Sequence, residues 1–332
     1  MQHSLNRDTS RMPCLDAVKA VACLLIVLHH LAVYGPMSDI ARPLMAGLID
    51  GLYQYGRLAV QAFLVIAGFL SAKHLAPFGV PGGADPLDAI KRRYFRLITP
   101  YLAALTLAVA SAAMTRAWLN LDYVPDTPDL PQLLAHAFLL QDLLDQDALS
   151  AGVWYVAIDF QLFALTAALL WLSRRIGGCC APARLAAPLL IVALTTASLY
   201  GFNRNDFWDE TAFYFFGSYG LGILGYWAAT RRDGWVWLLM LGALVAGALL
   251  VEFRTRIAVA GTVMLLLGFA RRYFAREERS AWQPLTYLGN ASYSIFLVHF
   301  PLCMIVNALF AHYFPHQPVI NALGLLRAIN RE

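Results

Sequence analysis

Charge is scarce in this chain of 332 residues: Asp, Glu, Lys and Arg together make up 14%, against 59% hydrophobic residues. A water-soluble domain carries about a quarter of its residues charged, so a soluble globule is excluded. Cysteine is scarce as well, with five in the whole chain, too few and too scattered for a disulfide framework. Cys14, Cys23 and Cys303 fall in or beside apolar runs, and the vicinal Cys179–Cys180 pair has no histidine or third cysteine near it, so no metal site is expected. There is no internal repeat, no low-complexity tract and no second soluble domain. The glycines at 217, 220, 222 and 225 lie inside an apolar run without the strand-to-helix setting of a phosphate cradle, and they read as helix-packing positions. No cleavable leader is expected, because Ser10–Pro13 lacks an apolar core and the first apolar run lacks a small-residue cleavage site.

What the chain does have is apolar length. Hydrophobic runs recur at about 15–34, 52–72, 97–114, 152–172, 185–202, 211–229, 235–251, 257–270 and 290–313, most near the roughly 20 residues that a spanning helix requires, the eighth being short and the weakest because Glu252, Arg254 and Arg256 crowd its start. The expectation is an all-α, polytopic membrane bundle of nine to ten helices, a single domain over residues 1–332 with a short cytoplasmic segment 1–13. The run after Pro318 is too short to span and reads as an interfacial helix or a truncated tenth span. Basic residues set the orientation. With the N-terminus inside, sixteen fall on the cytoplasmic side (Arg7, Arg11, Lys73, Lys91, Arg92, Arg93, Arg96, Arg174, Arg175, Arg184, Arg231, Arg232, Arg271, Arg272, Arg276, Arg279) and six outside (Arg42, Arg57, Arg116, Arg204, Arg254, Arg256). The connection between the third and fourth runs, read as external, is acidic: Asp122, Asp126, Asp129, Asp142, Asp145 and Asp147. The net charge of +4 follows from this anchoring, and no nucleic-acid partner is implied.

Against that background, ionisable residues inside the apolar runs stand out, because they are costly in hydrocarbon. In the first run Lys19 and His30 are eleven residues apart, which on a helix puts them within ~20° of one face and ~16 Å apart in height. Cys23 shares that stripe, Asp16 lies one turn below Lys19, and His29 points about 80° away. Lys19 alone also reads as a snorkelling anchor and His30 as a headgroup-level residue; the shared face is what points to a site. In the fourth run, Asp159 and Gln161 follow Trp154, and Asp159 sits ~10 Å below the outer end, comparable in height with His30. A buried partner for Lys19 or an arginine is the other reading of Asp159. Before the third run stands Lys91-Arg92-Arg93-Tyr94-Phe95-Arg96. These cations suit acidic lipid heads, and Arg93 and Arg96, three apart on one face, equally suit a phosphate ligand. His299, two residues before Pro301, either bonds carbonyls freed by the proline or serves a site.

Five ordered blocks resemble the acyltransferase-3 family of integral membrane proteins. They are Leu15-Asp16-x-x-Lys19-Ala20-x-Ala22 with His30; Phe63 to Leu70, where Ala67 stands for the family's usual serine; the basic cluster ending in Arg96; Trp154 to Gln161, with Asp159 in place of glutamate; and Leu288-Gly289 through Ser292-Tyr293 to His299 and Pro301, with Phe296 in place of a tyrosine. The resemblance implies a bacterial inner-membrane O-acyltransferase that takes an acetyl or similar group from cytoplasmic acyl-coenzyme A, with no permanently bound cofactor. The acceptor it implies is a hydroxyl of a cell-envelope or exported polysaccharide or a lipid-linked saccharide, with membrane lipids as the surroundings. In that reading His30 is the general base, Asp159 orients or balances it, Lys19 steadies the donor or the Asp16 network, Arg93 and Arg96 meet donor phosphates, and Trp154, Ser292, Tyr293 and His299 line the substrate path. An acyl-histidine intermediate is a variant of the same chemistry. The rival from another class is a transporter or flippase for a lipid-linked or exported glycan, which would use the same polar interior as a path.

Overall fold

The computed structural model describes residues 12–83, 85–118, 123–177, 183–273 and 283–330. Arg7, Arg11, Asp122, the Cys179–Cys180 pair, Arg276 and Arg279 lie outside the described residues. Each of the nine apolar runs contains a helix: α1 (Pro13–Val33), α3 (Ala59–Leu75), α4 (Pro86–Trp118), α6 (Val153–Gly177), α7 (Ala183–Tyr200), α8 (Ala212–Thr230), α9 (Gly234–Val251), α10 (Thr255–Tyr273) and α11 (Gln283–Tyr313). Two more were not read from hydropathy, α2 (Pro36–Tyr55) and α5 (Leu130–Ala137), and the short run after Pro318 forms α12 (Pro318–Asn330). No strand occurs among the described residues.

Seven segments are long and apolar enough to cross a membrane: α1, the α2–α3 run, α4, α6, the run from Leu185 to Arg204 that includes α7, α9 and α11. The helices α8 and α10 are not among them. In α8 the physical reason is enclosure: Tyr, Gly, Ser and Trp dilute its hydropathy, and nearly every residue is buried by protein, so lipid-like side chains are not required. In α10, Arg256, Arg271 and Arg272 lower the average. The missed helix α2 is punctuated by Asp39, Arg42, Pro43 and Asp50, which mask its periodicity, and it bends at Met45 just after the proline. It packs with α12 against the C-terminal ends of α1 and α11, around Val27, Leu31, Met37, Ile49, Cys303 and Leu325. At 13 residues, α12 does not span.

Two parallel seams position the interior. Along α1 and α11, the Asp16 backbone lies against Gly289, the Cys23 thiol is 3.5 Å from the Ser292 carbonyl oxygen, and His30 meets His299, so both chains advance in the same direction. A Cβ at residue 289 would overlap the Asp16 carbonyl, so glycine is what lets these backbones touch. The second seam joins α3 and α8: Ser218 donates to Gln61 (2.6 Å), Ser71 and Tyr219 share a hydroxyl–hydroxyl bond (2.7 Å), and the Trp227 indole donates to the Ala76 carbonyl (2.6 Å). Gly68, one turn before Ser71, abuts the Tyr219 backbone as the small-residue pattern predicts.

The acidic connection between α4 and α6 folds back along the bundle. Tyr94 of α4 donates its hydroxyl to the Ala137 carbonyl (2.8 Å), and Gln161 of α6 donates to the Leu139 carbonyl (3.4 Å). Its own interior is polar and closed: His136 accepts from the Leu149 amide (3.2 Å), and Gln132 donates to the Asp147 carbonyl (2.8 Å). Its outward face carries exposed Leu130, Leu134, Phe138, Leu143 and Leu144, the distribution expected of a segment that lies against lipid.

Candidate active site

A cavity of about 320 Å³ opens between α1, α3, α4, α6 and α11. Lys19, Arg93, Arg96, Asp159, Ser292 and Tyr293 all line it, so six of the ten residues singled out from sequence converge on one space. Its floor and walls are apolar, with Phe63, Ile66, Leu70, Leu97 and Pro100 among them. Ala67 lines it as well, where the family's usual serine would have brought a hydroxyl.

The charges in this cavity are arranged in local pairs. Asp159 accepts from the Arg93 guanidinium at 2.5 Å, and the Arg93 guanidinium lies over the Phe163 ring at 5.4 Å. Asp159 therefore does not orient His30; equal height along two helices says nothing about which way each side chain faces, and Asp159 faces α4. Asp159 is 4% exposed, so the pair is buried and removal of either partner leaves an uncompensated charge. Arg93 Nε and Asp159 Oδ1 find no hydrogen-bond partner among the described residues, which leaves each member of the pair capacity for a ligand. Lys19 is held by Asp16, 3.6 Å away and three residues earlier on the same helix, so Asp16 supports the cavity without lining it. Arg96 is exposed at the mouth. Ser292 is turned back onto the Gly289 carbonyl (2.9 Å), and Tyr293 donates to the Leu97 carbonyl (3.2 Å), tying α11 to α4.

Trp154 does not line the cavity; it packs against Phe215 of α8. Its neighbour Tyr155 does, together with Phe63 and Phe296. These three rings form a triangle with centroid separations of 5.9, 6.0 and 5.2 Å. Sequence reasoning passed over them, although Tyr155 is one helical turn from Asp159 and Phe296 one turn from both Ser292 and His299.

His30 and His299 are outside that cavity. His30 Nδ1 is 2.5 Å from His299 Nε2, and the planes of the two rings differ by 5°. Their centroids are 4.8 Å apart, equal to the nitrogen contact plus one ring radius on each side, so the rings meet edge to edge in a common plane. His299 Nδ1 lies 2.7 Å from the Phe296 carbonyl oxygen. Pro301 frees the Leu297 carbonyl, four residues before it, yet the imidazole takes the carbonyl one position earlier. Tyr34 (5.4 Å) and Phe300 (6.2 Å) enclose His30, with Tyr123 beyond Tyr34. His29 has a separate fate: its Nδ1 is 2.9 Å from the Leu52 carbonyl of α2.

The arrangement thus has two parts joined by Phe296: its ring closes the cationic cavity, and its carbonyl holds the histidine pair. The cavity suits an anionic ligand, and a buried imidazole suits proton abstraction. No curated protein and no solved structure gives a significant match to this chain. A family model described as an acyltransferase domain matches residues 12–328, nearly the whole length. That span takes in all five sequence blocks and both parts of the site, and the chain accordingly belongs to the acyltransferase-3 family, whose activity is acyl transfer within the membrane.

Proposed function

We propose that this protein is an O-acyltransferase that moves an acetyl or similarly short acyl group from acyl-coenzyme A to a hydroxyl of a cell-envelope or exported polysaccharide. The observation that carries this reading is the 320 Å³ cavity in which Lys19, Arg93 and Arg96 converge at the inner end of the α1–α11 seam, with the His30–His299 pair further along it. Three cations beside an apolar wall suit a phosphate-bearing thioester with an apolar arm. The sixteen-to-six basic bias supports a cytoplasmic placement of the cavity mouth and a bacterial plasma-membrane location. The parallel course of α1 with α11, and of α3 with α8, agrees with nine alternating crossings.

In this reading the acceptor oxygen bonds to the acyl carbon, the carbon–sulfur bond breaks, and coenzyme A leaves as a thiolate. The hydroxyl proton passes to His30 and from there to the thiolate sulfur, so the enzyme returns to its starting state. Arg93, held by Asp159, and Arg96 anchor the donor; Asp159 acts on Arg93 and not on the imidazole. Phe296 borders the cavity and lies 5.8 Å from His299, so the route of the thioester toward His30 runs past its ring.

The test is mass analysis of surface glycans from a deletion strain and its complemented counterpart, with labelled acetyl-coenzyme A supplied to membrane vesicles. Exported but unacylated polymer in the deletion strain supports the enzyme. Polymer retained inside the cell supports a carrier instead. Reporter fusions at residue 82 (cytoplasmic) and residue 130 (external) check the orientation, and a cytoplasmic signal at 130 would overturn it.

A further inference from the structure

We propose that His299 is a positioning residue that fixes the tautomer of His30, leaving His30 Nε2 as the one lone pair of the pair free to accept a proton. The inference rests on the acyltransferase reading for its use, and on the geometry alone for where the protons sit.

Proton placement follows from one fixed end. A backbone carbonyl can only accept, so the contact between His299 Nδ1 and the Phe296 oxygen at 2.7 Å requires a hydrogen on His299 Nδ1. In a neutral imidazole the other nitrogen is then an acceptor, so His299 Nε2 presents a lone pair. The partner of that lone pair, 2.5 Å away, is His30 Nδ1, which must therefore be the donor. His30 Nε2 is left without a hydrogen. The chain runs from the Phe296 carbonyl through two coplanar rings to a single basic nitrogen, and every hydrogen in it is determined by the carbonyl.

The plane of the rings matters as much as the protons. At 5° between planes the His30 N–H points along the His299 lone pair, so His299 holds the orientation of the ring as well as its tautomer. When His30 takes up a proton, its Nδ1–H remains a donor to a neutral His299, and the new charge is stabilised by a bond that is already made. The opposite arrangement, a hydrogen on His299 Nε2, would force His30 Nδ1 to accept and place a hydrogen on His30 Nε2. That state has no base.

The Ile295 carbonyl also lies within hydrogen-bond reach of the His299 ring and, like that of Phe296, can only accept. Facing His30 are His29 at 5.3 Å, whose Nδ1 is committed to the Leu52 carbonyl, and Tyr34 at 5.4 Å, with Phe300 on α11. Around the pair α4 and the loop before α5 contribute Ala112, Val124 and Tyr123, and among the described residues no carboxylate makes a hydrogen bond or salt bridge to either ring. A carboxylate, the usual orienting group for a basic histidine, is thus replaced here by a second imidazole anchored to a backbone carbonyl.

The experiment compares His299→Leu with His299→Gln in the full chain, with membrane accumulation checked for both. Glutamine carries a side-chain oxygen to the position of the Nε2 lone pair and can still accept from His30; leucine cannot. Loss of a fixed tautomer is expected to lower kcat by ~10²-fold or more in the leucine variant while the donor KM is unchanged, with glutamine retaining activity within ~10-fold of wild type. Independently of activity, ¹⁵N spectra of histidine-labelled protein should show His30 of the wild type and of His299→Gln protonated at Nδ1, and His299→Leu shifted toward Nε2. Equal loss in both variants with an unchanged His30 spectrum would overturn the proposal, as would a wild-type His30 protonated at Nε2. A wild-type protein with the expected spectrum that transfers no acyl group from any donor would overturn the acyltransfer reading, and with it the catalytic use of the pair, while the proton placement stands.

Discussion

The two halves of the site handle the same difficulty, polar groups inside an apolar slab, in opposite ways. The cavity pairs its ionisable groups: Arg93 with Asp159 across helices, Lys19 with Asp16 along one helix. The histidine pair satisfies its polarity by hydrogen bonds that end on a carbonyl. In the proposed cycle the paired ionic groups lie where the anionic donor is held, and the histidine pair where the acceptor's proton is taken. The difference implies that substitutions at the two places fail differently, one through binding or folding and the other through turnover.

The largest expected effect is at the histidine pair. His30→Ala should lower acyl transfer by ~10²–10⁴-fold with normal accumulation in the membrane, as for loss of a general base. His29→Ala, which breaks only the bond to Leu52, should be mild. Equal losses in the two variants, measured with labelled donor in vesicles, would remove the case for a directional site at His30.

Next come the paired charges. Arg93→Gln or Asp159→Asn each strands one buried charge, a loss of about 3–5 kcal/mol in stability, visible as poor accumulation or a lowered melting temperature in detergent. The double variant should recover stability but not donor binding. If the double variant is as unstable as the singles, the pair is not the source of the effect.

Arg96, exposed at the mouth, separates holding from folding. Arg96→Gln should weaken donor affinity by roughly 10-fold, the low end for a charge-assisted hydrogen bond, and leave turnover at saturating donor intact. Lysine should rescue in part, since a point charge does not reproduce a bidentate fork. Donor titration reads both; an unchanged titration would reassign Arg96 to membrane anchoring.

The smallest effect lies in the folded-back connection. Burial, with Glu210 nearby adding to it, pushes the Asp142 carboxyl up to about 6 from the ordinary carboxylate range. The folded chain then holds this proton more tightly than the unfolded one, so the contribution of this group to stability is fully present at low pH, is lost as pH rises from about 4 to 6, and does not change above. Asp142→Asn should raise the melting temperature at pH 7 and leave it unchanged at pH 4. A gain that is the same at both values would assign the effect to something other than ionisation.

Much of this was legible in the residues, and the rest was hidden for identifiable reasons. Hydropathy located nine helices because each carries an apolar run, although α8 and α10 are not among the segments long and apolar enough to cross a membrane. It missed α2 because Asp39, Arg42, Pro43 and Asp50 break the run, although the helix survives by bending at Met45. The face shared by Lys19 and His30 was readable because one helix fixes both. Asp159 was readable as a buried partner for Lys19 or an arginine, but the choice between them was not, because height along α6 carries no azimuth, and only the packed bundle shows it turned toward Arg93. His299 was readable as polar and buried, while its contact with His30 depends on two helices separated by 269 residues.

That separation has a consequence for how the protein is made. At about 5–20 residues per second, the 269 residues between Cys23 and Ser292 take ~13–54 s to synthesise. Throughout that interval α1 is in the membrane without α11, and its polar stripe has no seam to close it. The Lys19–Asp16 pair lies within α1 itself and is available from the start, so the helix enters the bilayer with these two charges already balanced. His30 has no such local ion pair, and its bond to His299 waits for α11. A local ion pair at one end of α1 and a deferred hydrogen bond at the other let the first helix wait for the one that completes it.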